Sequence, residues 1–93
     1  MEIRIQDVHF DATDALKSFI QKKVSKLDQY YDGILSAEVT LKVVKPETAT
    51  NKEAQIRLAV AGHDLFASKI SDTFEEAVDA DVEALQKQLV KFK

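Results

Sequence analysis

The stretch SAEVTLKVVKPETATNKEAQIRLAVA, residues 36–61, decides the fold. In its first run Ala37, Val39, Leu41 and Val43 alternate with Glu38, Thr40 and Lys42. In its second, Ala54, Ile56, Leu58 and Val60 alternate with Gln55 and Arg57. A period of two sends successive side chains to opposite faces, so both runs predict strands with one apolar and one polar face. Between them KPETATNK is polar and holds the single proline of the chain, which predicts a loop or hairpin end. A sheet with one apolar face needs a cover on that face, and the flanking sequence must supply it.

Upstream, Ile3, Ile5 and Val8 within EIRIQDV predict a short first strand. Leu16, Phe19, Ile20, Val24, Leu27, Tyr30 and Tyr31 then fall on one arc at about 100° per residue, which predicts a helix as far as Tyr31. Asp11 or Thr13 caps it, Asp14 sits in its first turn, and Gly33 after Asp32 suits a left-handed C-terminal cap. Downstream, Gly62-His63-Asp64 predicts a turn and LFASKI a short fourth strand. Asp72 with Glu75 three residues later predicts a capping box for a last helix. Phe74, Ala77, Val78, Val82, Leu85, Leu89 and Phe92 share one face of that helix.

The order β-α-β-β-β-α follows. It predicts an α+β two-layer sandwich, a four-stranded sheet with both helices packed on one face. A crossover through the first helix makes strands one and two parallel if they pair, and the remaining connections are antiparallel hairpins.

Composition bounds the rest. Ninety-three residues with 45% apolar content predict one domain with a real core. The absence of cysteine excludes a disulfide scaffold or a thiolate zinc site, and fits a reducing compartment. No apolar run approaches the ~20 residues of a membrane span, and MEIRIQDVHF lacks the apolar centre of a signal peptide. The expectation is a soluble, cytoplasmic protein with no membrane partner. Net charge is −3, but the charges sort into blocks. Residues 17–26 hold four lysines and no acid, residues 72–83 six acids and no base, and residues 84–93 three lysines and no acid.

Catalytic chemistry has little to work with. His9 and His63 are far apart, His63-Asp64 reads as part of a turn, and Gly33 and Gly62 are too isolated to form a phosphate-binding loop. Glu75, Glu76, Asp79 and Glu83 favour the positive end of their helix. The reading is a protein that is not an enzyme, with no cofactor, no metal site and no small-molecule substrate. The basic residues are the better lead. Lys22 and Lys26 lie one turn apart beside Ser18 and Gln29, Lys87 and Lys91 are likewise four apart, and Lys93 extends the second group. With the helices side by side, these groups would join into a patch of about seven cations, suited to phosphates and sensitive to salt.

Lys23 is the odd residue, since it projects into the apolar arc of the first helix. A lysine there buries its methylenes and lifts its ammonium to the rim, with Phe19 and Tyr30 available for a cation–π contact. Asp81 is the matching oddity, inside the apolar arc of the last helix. Two readings stand: Lys23 pairs with Asp81 between the helices, or it emerges at the seam aimed at a phosphate. Pairing requires that Asp81→Ala destabilise the fold.

These residues resemble the short ribosome hibernation-promoting factor and ribosome-associated inhibitor family over essentially the whole chain. The likeness rests on Thr13 and Leu16, on KVSKL (Lys23, Val24, Lys26, Leu27) followed by Tyr30, on Ala77 to Asp79, and on the ending LQKQLVKFK. The resemblance implies a factor that occupies the messenger and transfer RNA channel of the small ribosomal subunit. Such a factor inhibits translation and preserves idle ribosomes under stress or in stationary phase. It implies competition with tRNA and mRNA, no cofactor, a monomer away from the ribosome, and rRNA contacts by Lys22, Lys23, Lys26, Lys87, Lys91 and Lys93. Arg4, Lys42 and Arg57 would support them. It also implies a single ribosome-binding domain over residues 1–93 without the dimerisation domain of long members. Asp81 stands where an apolar residue is usual in the family, and Lys87 where arginine is frequent.

Two other readings belong to different classes. A double-stranded-RNA-binding domain shares an αβββα core, but it uses lysines where Asp72, Glu75, Glu76 and Asp79 stand here. A protein-interaction module with an acidic helix face would ignore ribosomes.

Overall fold

A computed structural model describes residues 1–8, 11–44 and 50–92; His9, most of the loop after the second strand, the side chain of Phe92, and Lys93 lie outside the described residues. The elements are β1 (Glu2–Val8), α1 (Asp14–Ser25), β2 (Ile34–Val43), β3 (Lys52–Val60), β4 (His63–Ser71) and α2 (Phe74–Phe92). The strands form one mixed sheet in the order β1-β2-β3-β4. β1 runs parallel to β2, and the other two pairings are antiparallel. This is the predicted two-layer α+β sandwich.

Register explains the cover. Ala37, Val39 and Leu41 of β2 stand opposite Leu58, Ile56 and Ala54 of β3, so the apolar rows of the deciding stretch coincide. All six are buried. Leu65 and Ala67 of β4 extend the row, and Ile20, Val24 and Leu27 from the α1 side close over it with Phe74, Ala77, Val78, Val82, Leu85 and Leu89 of α2. Each fully buried aliphatic side chain contributes roughly 1.5–3 kcal/mol, which is why two amphipathic helices settle on this face and leave the other wet.

Local corrections come at the element ends. Thr13, not Asp11, caps α1: its Oγ1 accepts the Leu16 N–H at 3.1 Å. Asp7 ties down the entry by accepting the Ala12 N–H at 2.7 Å. α1 stops at Ser25 and tightens into a 3-10 turn, Lys26–Gln29, short of the predicted Tyr31. Ser25 Oγ bonds back to the Gln21 carbonyl at 2.5 Å, a local bond of the kind that bends helix ends. Gly33 has no left-handed backbone; Gly62 (φ 74°) does. What Gly33 provides is room, since a Cβ there would meet Cε2 of Tyr31 at 2.6 Å.

The β3–β4 turn is tighter than predicted. Val60 pairs with His63, so only Ala61 and Gly62 make the turn, and the positive φ of Gly62 permits it. His63 and Asp64 already belong to β4. The capping residue of α2 is Thr73, whose Oγ1 accepts the Glu76 N–H at 3.1 Å, one position later than the predicted Asp72–Glu75 pair. Asp72 instead accepts from Thr50 Oγ1 at 2.6 Å, fastening the start of β3 to the entry of α2.

Candidate nucleic-acid interface

The helices carry the candidate cations on the side of the molecule away from the sheet. Lys22 and Lys26 are exposed near the end of α1, as are Lys87 and Lys91 on α2, while Lys93 is outside the described residues. Arg4, Lys42 and Arg57 lie on the far face of the sheet, because their neighbours in alternation, such as Ile3, Leu41 and Ile56, face the core. Each of the three stands in register with a glutamate: Arg4 and Arg57 with Glu38, Lys42 with Glu53.

Lys23 occupies the seam between α1 and α2. Its side chain is 32% exposed, and Nζ lies 3.1 Å from Oδ1 of Asp79. The same ammonium stands 5.7 Å from the Phe19 ring centroid, the cation–π contact expected of the pair. Lys23 therefore snorkels to the helix–helix seam, but its acceptor is Asp79 and not Asp81. Two residues along a helix turn a side chain by about 200°, so the two aspartates cannot face the same neighbour.

Asp81 points the other way, into the interface between α2 and the sheet. It is 1% exposed, and its Oδ2 has no hydrogen-bond partner. Burial pushes its carboxyl up to about 7; the charge of Glu53 adds to the rise and that of Lys69 opposes it. The proposed Lys23–Asp81 pair is thus absent.

A cleft of about 450 Å³ opens where the helices meet. Lys23, Lys26 and Tyr30 line one side, and Asp79, Val82, Glu83 and Gln86 of α2 the other. The α2 wall facing Lys23 and Lys26 is therefore acidic. Lys87 and Lys91 stay outside this cleft, and Lys87 Nζ lies 3.8 Å from Glu83 Oε1 in an i,i+4 pair. Helical spacing puts Lys91 one turn beyond Gln88, whose Nε2 donates to the Phe66 carbonyl of β4 at 3.1 Å. The two lysine groups thus flank an acidic strip instead of merging into one patch. Asp79, Glu83 and Gln86 were not singled out from sequence as site residues. Their shared flank of α2 is readable at i, i+4, i+7, but which flank faces α1 is not.

Among the described residues no three His, Asp or Glu side chains converge as a metal site, and no helix is long and apolar enough to cross a membrane.

A protein of similar fold, the Thermus thermophilus Protein Y N-terminal domain, superposes with TM-score 0.87 at 26% identity, covering all of both chains. The family model described as Sigma 54 modulation protein / S30EA ribosomal protein matches residues 3–93. The chain belongs to this family. A ribosome hibernation promoting factor from Escherichia coli K12 is 32% identical over 93 residues, all of this chain and 94% of that protein. One from Azotobacter vinelandii is 29% identical, again over all of this chain and 83% of the relative. A ribosomal subunit interface protein from Coxiella burnetii shares the fold, with TM-score 0.86 at 22% identity over 99% of this chain and 97% of that one. Membership of the S30EA family agrees with the resemblance carried by the two lysine-bearing helices.

Proposed function

We propose that this protein is a ribosome hibernation factor: a translation inhibitor that occupies the messenger and transfer RNA channel of the small ribosomal subunit and preserves idle ribosomes. The observation that carries this reading is the match to hibernation promoting factors along the whole chain. The geometry supports a binding role, since the exposed lysines sit on rigid helices, where a phosphate surface can meet several of them together. Lys22, Lys23, Lys26, Lys87, Lys91 and Lys93 are the rRNA contacts of this proposal, and the chain acts as one ribosome-binding unit that displaces tRNA and mRNA by occupancy.

The acidic opening turns of α2, with Asp72, Glu75 and Glu76 exposed, speak against recognition of double-stranded RNA through that helix start. Sedimentation with vacant ribosomes, at low and moderate salt and with and without tRNA, tests the reading. Salt-sensitive binding to the small subunit that tRNA reverses is the expected result. An absence of binding at low salt overturns it and leaves a protein-interaction module. Replacing Lys87 and Lys91 together by alanine should reduce the logarithmic salt slope by about two; an unchanged slope removes them from the contact.

A further inference from the structure

The ion pair at the helix seam gives α2 a second role. Asp79 holds Lys23 at 3.1 Å, and Glu83 stands 3.8 Å from Lys87 while also lining the cleft that Lys23 and Lys26 share. The cleft is thus lined by two lysines, Lys23 and Lys26, and two acids, Asp79 and Glu83. We propose that Asp79 is a built-in stand-in for phosphate, its carboxylate occupying on Lys23 the place that an RNA phosphate takes in the bound state. The inference rests on the ribosome-binding reading and adds a regulatory contact to it.

The chemistry supports the substitution. A carboxylate and a phosphodiester both offer anionic oxygens to an ammonium, and lysine binds either as a compact point charge without the fixed fork of arginine. Lys23 is poised for exchange, with its side chain 32% exposed and Asp79 61% exposed. Neither partner needs to leave a dry core to change acceptor. The Phe19 ring steadies the ammonium, so loss of Asp79 leaves Lys23 at the seam. A polyanion entering the cleft must displace one carboxylate and approach a second, Glu83. An RNA backbone that meets Lys23 and Lys26 only therefore gains little. A surface that also reaches Lys22, Lys87 and Lys91 gains enough to displace the carboxylate. Asp79 weakens capture of arbitrary RNA more than it weakens binding to an extended, shaped RNA surface.

The test compares wild type, Asp79→Asn, Lys23→Gln and the double variant. Each is measured against two probes over a range of salt: poly(U) and purified small ribosomal subunits. Asp79→Asn should bind poly(U) about two- to five-fold more tightly, the worth of an exposed ion pair. Its logarithmic salt slope should steepen by about 0.7, one further phosphate contact on a single strand. Lys23→Gln should cost little in the wild-type background and cancel the whole gain in the Asp79→Asn background. Unchanged or weaker poly(U) binding by Asp79→Asn, or an equal cost of Lys23→Gln in both backgrounds, overturns the proposal. If the gain on poly(U) appears while no variant binds small subunits, the counter-charge stands and the ribosome reading fails. If wild type binds small subunits and Asp79→Asn is no tighter on either probe, the ribosome reading stands and the counter-charge fails.

Discussion

Asp79 and Asp81 are two residues apart on α2 and live in opposite worlds. Asp79 lies in the seam between the helices, is open to solvent, and holds the ammonium of Lys23 at 3.1 Å. Asp81 lies between the helix and the sheet, is 1% exposed, and has an oxygen with no partner. The same side chain holds a solvent-open ion pair in one place and opposes folding in the other. A carboxylate in water keeps its hydration and gains a modest Coulomb term, whereas a buried one loses hydration that an unpaired site does not replace. Acidity along α2 therefore has no single meaning, and each carboxylate takes its role from what it faces.

The largest expected effect breaks this contrast by removing the buried acid. Burial raises the Asp81 carboxyl from 3.8 to about 7, so the folded chain binds a proton that the unfolded chain releases between those values. The raised value means that stability is greatest below about pH 4 and declines as pH rises to about 7, after which this contribution is level. At about 1.4 kcal/mol for each pH unit, the full decline is up to about 4 kcal/mol. Asp81→Val should therefore stabilise the protein by about 2–4 kcal/mol at pH 8 and by much less at pH 4.5, read from urea midpoints. Equal effects at both pH values would show that the carboxyl is not the source.

Asp7 works in the opposite direction and in a different range. The Ala12 amide, aided by its own backbone amide, lowers its carboxyl below 3.8, so its contribution is present above that value and is lost as pH falls further. The two titrations do not overlap, and the decline between pH 4.5 and pH 8 should disappear in Asp81→Val.

A smaller effect belongs to the seam. Lys23→Met keeps the apolar stem over Phe19 and removes the charge. It should cost no more than about 1 kcal/mol, with little difference between pH 5 and pH 8. A cost of several kcal/mol would mean that the Lys23–Asp79 pair is structural, and the contrast with Asp81 would narrow.

The smallest effect comes from the outer side of α2, where Gln88 satisfies the Phe66 carbonyl on edge strand β4. Gln88→Ala lets water take that carbonyl, so stability should change by about 0.5 kcal/mol or less. Amide exchange along β4 should quicken before any change in β2, since the exposed edge loses its cover.

Much of this molecule is legible in residue order. The alternating runs in residues 36–61 have strict period two, and shifting one of them by a single residue would turn Val39 or Ile56 to water, so their pairing is strongly constrained. The element ends are less legible because several residues compete for each cap. Asp72 and Thr73 both satisfy the composition of a capping residue, and the chain chose Thr73 because Asp72 is engaged by Thr50, twenty-two residues earlier. α1 gives way after Ser25 to a 3-10 turn, in which the Lys26 N–H reaches the Lys23 carbonyl three residues back, and an apolar arc running to Tyr31 conceals that switch. In the candidate site the lysines were legible as helix-surface cations at i, i+4, and Lys23 as a misfit. Its partner is not legible, since residue order offers both a pair with Asp81 and an emergence at the helix seam, and neither names Asp79.

Residue order by itself determined the elements, their apolar faces, the two-layer plan and the family, because periodicity and side-chain chemistry are local properties of the chain. Only the tertiary structure decided which flank of α2 meets α1. That is set by the handed crossover and by how two helices seat on one twisted sheet, and it turns Asp79 toward Lys23 and Asp81 into the core.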